Sequence, residues 1–103
     1  MANNLTETDF YDTVAATSGV SVVQFTAPWC GPCKMLAPRL QEVADDLNVA
    51  YYKVDIDENP QLAIDFKIMS IPTLQYYKDG KLVDTTVGAR TKAQLNETFA
   101  SIA

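Results

Sequence analysis

Apolar residues along the chain fall into short strand-like runs and helix-spaced sets. The run Val20–Phe25 is rich in β-branched and apolar residues, which is typical of a central strand covered on both faces. After it, apolar residues recur at i, i+4, i+7, i+8 and i+11, the spacing of one buried helical face. These residues are Leu36, Leu40, Val43, Ala44 and Leu47. The pattern predicts a central strand followed by a long helix.

A shorter helix is predicted before this unit. Thr6 places a hydroxyl three residues before Asp9, as at a capped helix start. We predict a helix from about Glu7 to Ala16, ended by Ser18-Gly19. Its apolar face would consist of Phe10, Val14 and Ala15. A short strand before Thr6 is compatible with this arrangement.

Turn and capping signals divide the second half of the chain. Asp79-Gly80 is a strong hairpin signal, Asn59-Pro60 places a cap before a proline at the first helical position, and Thr91 with Gln94 forms a capping box. The predicted elements are a strand Val49–Ile56, a short helix through Phe66, strands Leu74–Tyr77 and Leu82–Val87, and a terminal helix that buries Leu95, Phe99 and Ile102. Strands that alternate with helices and close in a hairpin predict an α/β fold with a mixed sheet between helices.

The long helix carries one irregularity. Pro38 lies inside it and cannot donate a backbone hydrogen bond, so a kink is expected there. Asp45-Asp46-Leu47-Asn48 is predicted to end this helix.

Length and charge narrow the class of protein. The 103 residues, 48% of them hydrophobic, predict a single domain spanning residues 1–103. The net charge of -5, with eight scattered Lys and Arg residues, argues against a nucleic-acid partner. The acidic start lacks the features of a signal peptide, and no apolar run is long enough to span a membrane. We expect a cytoplasmic protein and, by default, a monomer.

The two cysteines are the candidate chemical groups. Cys30 and Cys33 stand three apart at a helix start, close enough to form and break a disulfide. The helix N-terminus favours a thiolate at Cys30, the form that attacks disulfides, whereas Cys33 lies one turn inside. A structural staple would remove little chain entropy, and zinc would need more ligands than two Cys and no His. Two inert thiols remain an alternative.

The segment Trp29-Cys30-Gly31-Pro32-Cys33-Lys34 resembles the active site of the thioredoxin family, and the resemblance extends over nearly the whole chain. It implies the thioredoxin fold, a central mixed β-sheet of four to five strands flanked by helices on both faces. It further implies a protein-disulfide reductase in which Cys30 is the nucleophile and Cys33 the resolving residue. Trp29, Gly31, Pro32 and Lys34 would support the site. No cofactor is implied beyond the Cys30–Cys33 disulfide, and the implied partners are protein disulfides and a thioredoxin reductase.

The same resemblance implies a substrate-binding rim. An Ile-Pro bond is ordinarily trans, but the family has a cis-proline at the position of Pro72, facing the cysteines. The backbone of Ile71 would then pair with an extended substrate segment by strand addition. The implied rim consists of Trp29, Ile71, Pro72 and the Val87-Gly88-Ala89 turn. The alternative is that Ile71 and Pro72 merely start a strand.

Gln24 departs from the family pattern. The family usually has a buried aspartate at this position, six before the first cysteine, credited with moving a proton at the resolving thiol. Glutamine cannot ionise, so it either positions groups or is simply a satisfied buried amide. Lys53, the usual companion of that aspartate, would then direct its ammonium to solvent. Thr26 replaces a tryptophan common in the family.

Two alternatives to a general reductase remain. Gln24 is compatible with a specialised redox donor or oxidant of altered potential. The chain could also be a binding subunit that uses a thioredoxin-like surface, with redox chemistry incidental.

Overall fold

The computed structural model describes residues 2–103, and within this range strands and helices alternate along the chain. The elements are β1 (Asn3–Asn4), α1 (Phe10–Ala16), β2 (Val20–Thr26), α2 (Gly31–Leu47), β3 (Ala50–Asp55), α3 (Pro60–Asp65), β4 (Thr73–Lys78), β5 (Lys81–Val87) and α4 (Lys92–Ile102). The predicted α/β order is confirmed, including the short strand before Thr6.

The strands form one mixed sheet of five strands in the order β1-β3-β2-β4-β5. The first three in this order run parallel, whereas β4 pairs antiparallel with both β2 and β5. Because β2 is central and covered on both faces, its interior residues are apolar or buried. The C-terminal end of β2 leads directly to the cysteines.

Two apolar clusters cover the two faces of the sheet. On one face, α2 and α4 pack against the sheet through residues such as Leu36, Leu40 and Phe99. On the other face, α1 and α3 contribute Phe10 and Leu62. The predicted arrangement of a sheet between helices is therefore confirmed.

The first helix starts later than the sequence suggests. Residues 7–9 form a turn, and α1 begins at Phe10. The predicted cap is reversed, since the Thr6 N–H and hydroxyl both donate to Asp9 Oδ1, at 2.7 and 3.2 Å. Ala15, expected on the buried face, is exposed, so Phe10 and Val14 alone anchor this helix.

Two further details differ from prediction. Asn59 stands at the N-cap of α3, but its side chain makes no cap hydrogen bond; it accepts the Glu7 N–H at 3.0 Å and thereby joins two distant loops. Leu47 is 45% exposed at the last position of α2, where the helix face turns away from the sheet. The periodicity therefore fails at the helix end.

The predicted end signals for the other elements are confirmed. Asn48 ends α2 in the left-handed conformation, and Thr91 with Gln94 forms both bonds of a capping box at the start of α4. Asp79 and Gly80 both have positive φ in the hairpin turn between β4 and β5. No helix within residues 2–103 is both long and apolar enough to cross a membrane.

Candidate active site

Cys30 and Cys33 lie at the start of α2, beyond the C-terminal end of β2. Cys30 is the N-cap residue. Gly31 and Pro32 are the first two residues of the helix, and both are exposed. Proline is tolerated there because the first helical N–H groups have no intrahelical acceptor. The two Cα atoms are 5.3 Å apart and the two sulfurs are joined in a disulfide. The predicted pairing is confirmed.

The two sulfurs differ in their hydrogen bonding. The Cys33 N–H donates to Cys30 Sγ at 3.2 Å, so a backbone donor at the helix start is directed at the first sulfur. The Cys30 N–H donates to the Ala27 carbonyl at 3.1 Å, and the Lys34 N–H donates to the Cys30 carbonyl at 3.2 Å. Both cysteines are almost buried in the disulfide form, Cys30 at 4% exposure and Cys33 at 1%. Their difference therefore lies in hydrogen bonding rather than in exposed area.

Gln24 lies in β2 beneath the cysteines and is completely buried. Its Nε2 donates to the Cys33 carbonyl at 3.2 Å, and its Oε1 accepts a hydrogen bond from the Tyr51 hydroxyl. Burial raises the pKa of Tyr51, so the phenol stays protonated. The amide and the phenol therefore form a neutral pair against the backbone of the second cysteine.

Lys53 lies beside Gln24 in the parallel register of β2 and β3. Its Nζ is 5.9 Å from the centroid of the Tyr51 ring, within the range of a cation–π contact. Among residues 2–103 the one ion pair joins Lys92 and Glu42 at the surface, so Lys53 makes none. Lys53 lines a cavity of about 300 Å³ together with Lys34 and Thr26.

The Ile71-Pro72 peptide bond is cis, which confirms the expectation taken from the family resemblance. Ile71 packs against the small cluster formed by Ala27 and both cysteines. The Gly88 N–H donates to the Pro72 carbonyl at 2.8 Å, which brings the turn after β5 to this side of the site. Gly88 has a φ of +93°, a conformation that L side chains rarely adopt. Ala89 follows it and is exposed.

Trp29 is 67% exposed beside Cys30. Its indole N–H donates to Asp57 Oδ2 at 2.8 Å, which fixes the ring although the side chain is largely in solvent. A cavity of about 330 Å³ separates Trp29 from Ile71, and it is also lined by the exposed Met69. Ile56 and Ile71 line this cavity and also pack against the cluster of Ala27 and both cysteines, so the cavity lies close to the disulfide.

Two residues that contact the site were not predicted. Tyr51 and Asp57 reach Gln24 and Trp29 across separations of 27 and 28 residues in sequence. Tyr51 and Val54, the buried residues of β3, stand three apart rather than alternating, so no strand periodicity marks Tyr51, and no local signal names its partner.

Comparison with known proteins identifies the family. The family model described as Thioredoxin matches residues 1–101. The chain belongs to the thioredoxin family. It is 48% identical over 95 residues to a thioredoxin of Staphylococcus saprophyticus, covering 90% of this chain and 89% of that protein. Thioredoxins of Staphylococcus aureus and Staphylococcus epidermidis are 48% and 47% identical over the same shares.

Membership of the thioredoxin family agrees with the geometry at the start of α2. The protein is a thiol-disulfide oxidoreductase whose redox-active pair is Cys30 and Cys33. It adopts the α/β thioredoxin fold, with five strands and four helices within residues 2–103.

Proposed function

We propose that this thioredoxin reduces protein disulfides with Cys30 as the attacking sulfur and Cys33 as the resolving sulfur. The Cys30 thiolate bonds to one sulfur of the substrate disulfide, and the other substrate sulfur leaves with the electron pair of the broken bond. Cys33 then bonds to Cys30 and releases the second substrate sulfur. Two electrons pass to the substrate, both its sulfurs take up protons, and the Cys30–Cys33 disulfide remains.

The observation that carries this assignment is the N–H of Cys33 directed at Cys30 Sγ. A hydrogen bond to sulfur at a helix N-terminus stabilises a thiolate there, because both the donor and the helix dipole favour negative charge. Cys33 does not lie at the helix N-terminus, since it is the third residue of α2. The order of attack therefore follows from position on the helix.

The proposed substrate surface is the cavity between Trp29 and Ile71, close to the disulfide. Ile71 and Pro72 would present backbone to an extended substrate segment, while Trp29 would cover it from the other side. The turn at Gly88 and Ala89 would complete the rim, because its backbone is bonded to Pro72. Gly31 and Pro32 would leave the approach to Cys30 uncrowded, since both are exposed and carry no long side chain.

The proposal includes a partner and a compartment. A reductant must return the disulfide to the dithiol, and a thioredoxin reductase is the proposed electron source. We place the reaction in the cytoplasm, where thiols are kept reduced and a cysteine pair can cycle. The chain is proposed to act as a monomer without nucleic acid.

We further propose that Gln24 stands where family members usually have a buried acid. Gln24 is fully buried and bonded to the Cys33 backbone, yet its amide cannot take up a proton at any ordinary pH. The proton that Cys33 releases must therefore go to water or to the departing substrate thiolate. Lys53, whose neighbour in register is Gln24 rather than an acid, has no proposed share in this transfer.

The test is turnover of a protein disulfide, with dithiothreitol or a thioredoxin reductase as the electron source. Wild type should turn over, Cys30→Ser should be inactive, and Cys33→Ser should accumulate a mixed disulfide through Cys30. Retention of the cellular role by Cys30→Ser would instead support a binding subunit. A mixed disulfide through Cys33 in Cys30→Ser, formed as fast as that of Cys33→Ser, would contradict the assignment of roles.

A further inference from the structure

The side-chain amide of Gln24 uses both of its ends in the buried space below the cysteines. Its Nε2 donates to the Cys33 carbonyl at 3.2 Å, and its Oε1 accepts from the Tyr51 hydroxyl. Gln24 is 0% and Tyr51 6% exposed, so solvent has almost no access to this network. Gln24 of β2 thus contacts the backbone of α2 at the resolving cysteine, and Tyr51 of β3 contacts Gln24.

Tyr51 decides which way the Gln24 amide points. If the amide turned over, Oε1 would face the Cys33 carbonyl, and two acceptors would oppose each other where a bond of 3.2 Å now lies. The Tyr51 hydroxyl donates to the oxygen and so favours the orientation in which Nε2 faces Cys33. Without that hydroxyl, Oε1 would be a buried acceptor that has lost its partner.

The bond to Cys33 lies one residue before a gap in the backbone hydrogen bonds of α2. Pro38 lies inside α2 and has no N–H, so it leaves the carbonyl of Lys34 without its usual helical donor. The first turn, which carries both cysteines, is therefore held to the rest of the helix by fewer bonds. Gln24 supplies a hydrogen bond from the central strand to that turn.

We propose that Tyr51 is a positioning residue for the resolving step, acting through Gln24 to hold the first turn of α2 in the geometry from which Cys33 attacks Cys30. The inference rests on the proposed function, in which Cys33 resolves a mixed disulfide on Cys30. No proton passes through the pair. Cys33 Sγ bonds to Cys30 Sγ, the bond from Cys30 to the substrate sulfur breaks, and the Cys33 proton leaves to water or to the departing substrate thiolate.

Other titratable groups lie near this amide and phenol. Lys53 Nζ is 5.9 Å from the centroid of the Tyr51 ring, and Tyr76 of β4 belongs to the same apolar cluster as Tyr51. Tyr51 itself stays protonated because burial raises its pKa. The Gln24 amide and the Tyr51 phenol therefore keep the same neutral hydrogen bond near neutral pH.

The two chemical steps can be timed separately with an aromatic disulfide that releases coloured nitrothiobenzoate. Attack by Cys30 of the reduced protein releases the first equivalent, and resolution by Cys33 releases the second. We expect Tyr51→Phe to slow the second release by about tenfold and leave the first unchanged, as a loss of about 1.4 kcal/mol in that step alone. Tyr52→Phe is the matched control, because the Tyr52 hydroxyl bonds to the Thr17 hydroxyl at 2.7 Å, on the face of the sheet that α1 covers.

A double-mutant cycle decides whether Tyr51 acts through Gln24. Gln24→Met removes both hydrogen bonds at similar length and should slow the second release at least as much as Tyr51→Phe. Adding Tyr51→Phe to Gln24→Met should cost nothing more. Additive losses, equal slowing of both releases, or a Tyr51→Phe variant that resolves as fast as wild type would each overturn the inference. Absence of any release by wild type would instead refute the proposed function.

Discussion

Replacing Gln24 by aspartate tests how strongly the interior below the cysteines resists charge. Gln24 is fully buried, and an aspartate there would have to ionise without solvent. Desolvation raises the pKa of a buried carboxyl by as much as about 3 to 5 units above its ordinary value near 3.9. Lys53, in register beside position 24, would reduce that shift, so we take about 3 units as the expected value.

The sign of the pH dependence follows from proton binding. Between about pH 4 and pH 7 the unfolded aspartate is ionised while the folded one keeps its proton, so the folded state binds more protons. The free energy of unfolding then falls by about 1.4 kcal/mol for each pH unit, or about 4 kcal/mol in all. Such a loss is a large share of the 5–15 kcal/mol typical of a small domain.

The matched control for this variant is Gln24→Asn. Asparagine has the length of aspartate and the same lost contacts, but it cannot ionise. Urea unfolding of both oxidised variants, followed by circular dichroism, gives the difference in the free energy of unfolding at each pH. The difference should be small near pH 4 and grow as the pH rises. A difference that stays flat across this range would show that position 24 is hydrated in solution, and the account of Gln24 would be wrong.

Two other predictions concern the turn after β4 and the cap of α4. Gly80→Ala should lower the free energy of unfolding by about 3 kcal/mol or more, since its φ is +80° and a Cβ would lie 2.6 Å from the Ala15 carbonyl oxygen. Gly19→Ala, at a φ of +73° with open space around it, should lose only about 1 kcal/mol, and equal losses would refute the close contact. Thr91→Ala should cost about 1 kcal/mol by removing the α4 cap, measurable as a lower urea midpoint; an unchanged midpoint would mean that the capping box contributes nothing.

Local patterns predicted most of the fold correctly because they report local physics. The Thr91 capping box, the Asp79-Gly80 turn and the apolar strand Val20–Thr26 are each decided by residues close together in sequence. The predicted start of α1 was wrong because the local signal there is ambiguous. Two arrangements of the Thr6 and Asp9 side chains compete over one turn, and the structure adopts the one in which Asp9 accepts.

The candidate site was predictable only in part. The pairing of Cys30 and Cys33 follows from their spacing, whereas the cis bond before Pro72 was accessible only through family resemblance. The contacts of Gln24 with Tyr51 could not be read from sequence, because they depend on how β2 and β3 align. A buried amide requires hydrogen-bond partners, but the sheet register determines which residues supply them.

The central claim is that Cys30 is the more reactive of the two sulfurs, because it accepts the N–H at the start of α2 while Cys33 does not. The most direct measurement is alkylation of the reduced protein by iodoacetamide across a pH series, with mass spectrometry to locate the modified cysteine. We predict that Cys30 is alkylated faster throughout and gains reactivity at lower pH than Cys33. Equal rates with the same pH dependence at both cysteines would contradict the account.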